Sequence, residues 1–197
     1  MTVHPIEIES YEIMRRRVDF SAWTEDDRAV VERMVHATAD ESFATSARIG
    51  EDAVARARRA LRADAPIIVD AAMVGAGITR RATRCFLADV PLAPASTTRS
   101  AAAIRLAAEL HRVGAIWVFG NAPTALFALL ELHAAGEADP AAVIGLPVGY
   151  VGAADAKAAL WSSALAGRAI TNVGERGGSP VAAAAVNALV RLEEGTP

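Results

Sequence analysis

The segment from Ala115 to Leu132 constrains the fold more than any other part of the chain. Ala115, Ile116, Trp117, Val118 and Phe119 run without polar interruption into Gly120, Asn121, Ala122, Pro123 and Thr124, which lead to Ala125, Leu126, Phe127, Leu129, Leu130 and Leu132. An unbroken β-branched and aromatic run suits a strand covered on both faces, and Pro123 suits a first helical turn, where its missing N–H is no loss. The pattern therefore predicts a buried strand, a tight turn and a helix. The N–H groups of such a turn point past the carboxyl end of the strand, where open α/β sheets bind ligands. The apolar length approaches that of a membrane span, but Gly120, Asn121 and Pro123 interrupt it, and a turn in lipid would leave backbone groups unpaired. No membrane partner is expected.

At 197 residues and with no Gly/Ser- or Pro-rich linker, the chain reads as one domain over 1–197. A formal charge of −3 and the lack of a dominant basic block argue against a nucleic-acid partner. The one basic triplet, Arg15-Arg16-Arg17, precedes Val18, Asp19 and Phe20 rather than an apolar run, so it does not open a secretory or twin-arginine signal. The cytoplasm is the expected location. The single cysteine, Cys85, excludes an intramolecular disulfide and a multi-cysteine metal site, and beside Phe86 and Leu87 it reads as a small core residue. No metal site is expected.

In chain order, Ser10, Tyr11, Ile13 and Met14 form a short apolar segment that suits either an arm or a helical turn. Thr24 then caps a helix with Glu25, Asp26 and Asp27 in its first turn and Val30, Val31, Met34 and Val35 at helical spacing as far as His36. A second helix is predicted over Glu51 to Arg62, with Val54 and Leu61 inward, followed by a strand at Pro66 to Val69. Cys85 to Leu87 reads as a brief edge strand, and Pro91 and Pro94 mark a loop. From Arg99 to Val113 the residues Ala103, Leu106, Ala107, Leu110 and Val113 fall on one helical face. After the central strand and helix, Ala142 to Gly145 makes another buried strand, a helix follows through Leu165, and Ala169 to Thr171 is a weak last strand. Ser179 caps and Pro180 opens a final helix ending near Leu192. About five strands alternating with helices predict an α/β fold of three layers, α/β/α, around a parallel sheet.

Three glycine-rich turns, Gly120 to Thr124, Gly145 to Gly152 and Gly177 to Ser179, sit between predicted strands and helix starts, where exposed N–H groups favour anions; taken alone they are equally ordinary turn chemistry. Arg99 in a first helical turn opposes the macrodipole, which makes a carboxylate partner the expectation; a plain surface ion pair is the alternative, and Arg80 and Arg176 admit the same two readings. His36, His111 and His133 all fall near predicted helix ends, and their positions do not distinguish them. Neither Gly-x-x-x-x-Gly-Lys nor Gly-x-Gly-x-x-Gly occurs, which disfavours a nucleotide-dependent enzyme.

Gly120-Asn121-Ala122-Pro123-Thr124-Ala125-Leu126-Phe127 closely resembles a signature of the precorrin-8X methylmutases. Met34 to Ala37, Ala65 to Ile67, Met73-Val74 with Gly77 to Arg80, Thr98 to Ala102, Gly145 to Gly152 and Gly177 to Ser179 with Ala182 to Leu189 resemble that family in the same order, over nearly the whole length. The resemblance implies an isomerase of cobalamin biosynthesis that moves a methyl group from C11 to C12 of precorrin-8X, or of cobalt-precorrin-8, with no cofactor. It also implies a flavodoxin-like sheet and a homodimer. Carried over by position, His36 in Met34-Val35-His36-Ala37 becomes the catalytic acid, and Ser10, Thr79, Arg99, Gly120, Asn121, Ala122 and Thr124 become substrate-binding residues. By local chemistry Ser10 and Thr79 serve equally as turn or cap residues. The helix end is expected to keep the His36 imidazolium populated above its ordinary pKa of about 6.5. Where the family commonly has Gly-Asn before Thr-Arg-Ser, this chain has Ser96-Thr97, and the segment between Arg80 and Ser96 is shorter than usual, so the choice between a metal-free and a cobalt-bearing macrocycle stays open. The competing reading is a non-catalytic tetrapyrrole-binding module of the same fold.

Overall fold

The apolar runs do become strands, and a computed structural model describes how they assemble over residues 4–92 and 95–195. In chain order the elements are α1 (Pro5–Arg17), α2 (Glu25–Thr38), α3 (Phe43–Ser46), β1 (Ala47–Ile49), α4 (Ala53–Arg62), β2 (Ile67–Val69), α5 (Ala72–Gly77) and β3 (Thr83–Arg84). They continue as α6 (Arg99–Leu110), β4 (Ile116–Phe119), α7 (Pro123–Ala134), β5 (Ala142–Gly145), α8 (Ala153–Trp161), β6 (Ala169–Asn172) and α9 (Ser179–Glu194). The strands form one sheet in the order β1-β6-β5-β4-β2-β3, with every neighbouring pair parallel except β1 with β6. Counted from β2, the five parallel strands stand in the order 2-1-3-4-5.

Alternation along each strand divides the core into two halves. Ile67, Val69, Ile116, Val118, Ile144 and Ile170 face one side, where α2, α4, α5 and α9 cover them. Ile68, Trp117, Phe119, Val143 and Ala169 face the other, beneath α6, α7 and α8. Both faces are thus buried, which is why these strands lack the polar alternation of a half-exposed sheet. Ala115 to Phe119 is fully buried between β2 and β5, so the central strand is interior and parallel as predicted.

Several local expectations are corrected. The sheet has six strands among the described residues, because Ala47–Ile49 adds an antiparallel edge to β6. The opposite edge is Thr83–Arg84 rather than Cys85 to Leu87, and Cys85 packs half-buried against the first core cluster. Ser10 to Met14 lies inside a 13-residue helix, with Pro5 in its first turn and the His4 ring accepting from the Ile6 N–H at 3.3 Å. On α6 the buried face is Ala101, Ile104, Ala107 and Ala108 with Ala103, whereas Leu110 and Val113 are exposed because the helix ends at Leu110. Gly178, not Ser179, occupies the N-cap of α9, and α8 stops at Trp161. Pro91 lies in a bend as expected, while Pro94 lies outside the described residues.

Candidate functional site

In a doubly wound sheet the ligand crevice opens at the carboxyl edge, between the two strands whose following connections leave in opposite directions. Here those strands are β2 and β4: β2 connects outward to β3, and β4 connects the other way to β5. Asp70 follows β2 and the Gly120-Asn121-Ala122 turn follows β4, and the two meet. The Gly120 N–H donates to Asp70 Oδ1 at 3.0 Å, and the N–H groups of Asn121 and Ala122 donate to Oδ2 at 2.9 and 2.7 Å. Burial pushes the Asp70 carboxyl above its ordinary range, while these three bonds pull it down. The turn's amides are therefore satisfied from within and do not point outward to a bound anion, which corrects the sequence-based expectation for Gly120, Asn121 and Ala122. Gly120 is required by close approach: a Cβ there would lie 2.8 Å from Val74 Cγ2 and 2.9 Å from Ser179 Cα.

Thr124 stands at the start of α7 with its hydroxyl 2.8 Å from that of Thr98, whose Oγ1 also accepts the Ala101 N–H at 3.2 Å and so caps α6. Arg99, the next residue, is bound to backbone carbonyls, and no ion pair joins it to a carboxylate among the described residues. Its Nε donates to the Leu87 and Val90 carbonyls at 3.1 and 2.7 Å, and NH2 donates to Leu87 O at 2.8 Å. In this chain it fastens the 87–90 loop beside the crevice. Thr79 is exposed on the flank of α9, its N–H donating to Asn187 Oδ1 at 3.3 Å while Asn187 Nδ2 donates to Gly77 O at 2.8 Å. Asn187 lies two turns below Ser179, so Thr79 sits roughly 12 Å down the helix from the Gly120 turn at 1.5 Å per residue.

His36 and Ser10 do converge. Ser10 Oγ lies 3.2 Å from His36 Nδ1, and the Tyr11 ring stacks on the imidazole with centroids 4.5 Å apart and planes 5° apart. The last turn of α2 carries His36 toward the carboxyl edge, where Arg176 in the loop after β6 pairs with Asp40 and contacts Ser42 Oγ at 3.2 Å. Burial pushes the His36 pKa below the usual histidine value; the Arg33 and Arg191 charges add to this and Glu7 opposes it. The expected rise from the helix end is thus overturned, because desolvation and two guanidinium groups outweigh a partial dipole charge. A groove of about 600 Å³ runs alongside, lined by Ile8, Tyr11, Ala29, Arg33, Ala188 and Leu192 among others.

The assigned residues therefore fall into four groups: Ser10 with His36, the Gly120-Asn121-Ala122 turn with Thr124, Arg99 on the 87–90 loop, and Thr79 alone beside Asn187. Sequence reasoning missed Asp70, Tyr11 and Lys157. Lys157 is the single lysine in a chain with 19 arginines, and at 1% exposure it is buried. Its Nζ donates to Asn172 Oδ1 at 3.0 Å and to the Arg176 carbonyl, stapling the 173–176 loop to β6, and burial pushes its pKa down to about 8 against the opposing charge of Glu175. A lysine retained where every other cation is arginine was a legible signal. Among the described residues no group of three or more His, Cys, Asp or Glu is placed to hold a metal ion, and no helix is long and apolar enough to cross a membrane.

A family model described as precorrin-8X methylmutase matches residues 5–192. The chain is 41% identical to a precorrin-8X methylmutase of Sinorhizobium sp over 192 residues, covering 92% of this chain and 91% of that one. It is equally 41% identical over 190 residues to a cobalt-precorrin-8 methylmutase of Methanothermobacter thermautotrophicus, covering 94% and 91%. A solved structure of precorrin-8X methyl mutase from Thermus thermophilus superposes with a TM-score of 0.87 at 36% identity, covering 98% of both chains.

Proposed function

From the premise that this chain belongs to the precorrin-8X methylmutase family, we propose that His36 is the acid that assists transfer of a methyl group from C11 to C12 of precorrin-8X or cobalt-precorrin-8. The chain is an isomerase of cobalamin biosynthesis. The relatives' names support that reading over the non-catalytic module. The observation that carries the role of His36 is its clamped ring: the Ser10 hydroxyl engages Nδ1 at 3.2 Å, so the acid proton is assigned to the other ring nitrogen, Nε2. An imidazolium donates that proton from Nε2 to the macrocycle, the methyl group migrates within the conjugated system, and the proton returns, so no atom is gained or lost.

The peripheral carboxylates of such a macrocycle need cations and donors. We assign Thr79, Thr124 and the Asn121 side chain to that task, with Arg99 acting through the loop it fastens. The strand order 2-1-3-4-5 supports a flavodoxin-like fold, extended by antiparallel β1. A homodimer in the cytoplasm fits the family reading, and exposed Met73, Tyr150 and Val151 offer apolar surface for a second copy to cover. Equal identity to relatives named for the metal-free and the cobalt-bearing substrate favours neither.

The test is incubation of the purified protein with precorrin-8X and, separately, cobalt-precorrin-8, following the absorption spectrum. The expected result is conversion of at least one to the product spectrum, abolished in His36→Ala. A folded protein that converts neither rejects the reading.

A further inference from the structure

We propose that Tyr11 is a positioning residue for the reaction, a flat platform that fixes the His36 imidazole so that Nε2 faces the substrate. This inference rests on His36 being the acid. It begins with a constraint of helix geometry: Ser10 and Tyr11 are consecutive on α1, so their side chains leave the axis about 100° apart, as 3.6 residues per turn requires. Both nevertheless reach one imidazole on α2. Ser10 meets its edge, Oγ to Nδ1 at 3.2 Å, and Tyr11 meets its face at 4.5 Å and 5°.

Edge contact alone leaves the ring free to tilt about its Cβ–Cγ bond, a broad two-fold torsion. A parallel aromatic plane removes that tilt, and the Ser10 bond selects which of the two coplanar orientations is kept. The platform is itself held at its far end. Arg33 NH1 donates to the Tyr11 hydroxyl at 3.2 Å and to Glu7 Oε1 at 2.8 Å, and Arg191 NH1 donates to the same Glu7 oxygen at 3.1 Å. The Arg15 guanidinium lies 5.4 Å from the Tyr11 ring centroid. Tyr11 is thus tied to α1, α2 and α9 together, and the ring it supports cannot drift without breaking these contacts. Ser10 serves both protonation states, donating to Nδ1 of the neutral ring and accepting from Nδ1–H of the imidazolium. Proton transfer at Nε2 then needs no rearrangement of the clamp.

The test uses the full-length protein and the variants Tyr11→Phe, which keeps the plane and loses the hydroxyl, and Tyr11→Leu, which keeps apolar bulk and loses the plane. Imidazole nitrogen NMR of His36 reports the tautomer without reference to activity, and steady-state kinetics with the precorrin substrate report kcat and KM. Tyr11→Leu is expected to shift the His36 nitrogens from a single Nε2–H tautomer to a mixture and to lower kcat roughly tenfold or more, with KM changed much less. Tyr11→Phe is expected to restore both. Should Tyr11→Leu fail to fold, Tyr11→Met carries the same comparison. A His36 nitrogen pattern unchanged in a folded Leu or Met variant overturns the proposal whatever the turnover. A changed pattern with unchanged kcat leaves Tyr11 holding the ring and instead rejects His36 as the acid.

Discussion

Asp70 Oδ2 accepts the Ala122 N–H at 2.7 Å, joining residues 52 positions apart in sequence and sealing the crevice between β2 and β4. With Gly120 and Asn121 donating to the same carboxylate, Asp70 replaces the external anion that a turn of this kind would otherwise attract. Asp70→Ala leaves three donors without their partner, and each such loss at a buried site is costly. The expected destabilisation is roughly 2–4 kcal/mol, a fall in Tm of about 5–15 °C for a chain of this size. Calorimetry showing no loss would mean that water replaces the carboxylate without penalty.

Gly120→Ala is expected to destabilise by about 1–3 kcal/mol, the usual cost of overpacking. The new methyl group would meet Ser179 Cα, which is backbone and cannot swing aside, as well as Val74 Cγ2. Because the clash pushes the turn away from α9, denaturant unfolding and product affinity should fall together. A variant with native Tm and native affinity counts against this account.

Glu32 offers a prediction in pH. Burial raises its carboxyl, but hydrogen bonds from Arg15 at 2.6 Å and from Arg28 at 2.7 Å, with their charges, outweigh burial and leave it below the ordinary range. A carboxyl whose pKa is depressed on folding contributes stability that is present above the unfolded value of about 4.3 and is lost as pH falls through the folded value. Glu32→Gln should therefore lower Tm at pH 7, by the equivalent of about 1–3 kcal/mol, and have little effect once the pH has fallen through the depressed folded value. An equal loss at both pH values would show that packing rather than charge is at stake.

How much of this was legible in the sequence follows from the range of each interaction. The central strand and helix were plain because their signals are local: an apolar run, a breaking turn and Pro123. β1 was missed because Ala47-Arg48-Ile49 is three residues long with an arginine in the middle, and it becomes a strand only by pairing with β6 more than a hundred residues later. Leu110 and Val113 were placed inward because their spacing continues the face of α6, but the helix stops at Leu110. Asp70 escaped notice because its burial is compensated by backbone N–H groups of a turn some fifty residues later, which no local pattern marks. Lys157 stood out as the one lysine of the chain, but nothing local to it shows the Asn172 side chain and Arg176 carbonyl that hold it. The site residues named by resemblance were located by position, and the structure then separated Ser10 and His36, which meet, from Arg99, which bonds carbonyls instead of a carboxylate.

Arg99→Ala is expected to raise the product Kd through the loop rather than through a lost ion pair. Three bonds to the Leu87 and Val90 carbonyls disappear with the guanidinium, so residues 87–90 should become more accessible to protease as affinity falls. Arg99→Lys should recover little, since one ammonium cannot reproduce the planar fork across two carbonyls. If affinity falls while protease sensitivity stays native, Arg99 touches the substrate directly.

The pH dependence of catalysis tests His36 most sharply. Burial, Arg33 and Arg191 hold its pKa below about 6.5 in the free protein, so at pH 7 most of the population is neutral, and an acid role requires the protonated minority. Since kcat/KM reports groups in the free enzyme, it should fall as pH rises, with the apparent pKa below about 6.5. The kcat profile reports the complex, where carboxylates on a bound macrocycle would favour the imidazolium, so its limb should lie at higher pH. His36→Ala should remove this limb from both profiles and slow turnover by roughly 100-fold or more while preserving the fold. The other helix-end histidines serve as controls: His111 lies against Phe86 and Arg84, and His133 Nδ1 lies 2.8 Å from the Ala138 carbonyl, so each has a local structural role. His111→Ala and His133→Ala should keep near-native profiles. A kcat/KM limb that survives in a folded His36→Ala protein rejects His36 as its source and leaves preorganised electrostatics as the account of the remaining catalysis.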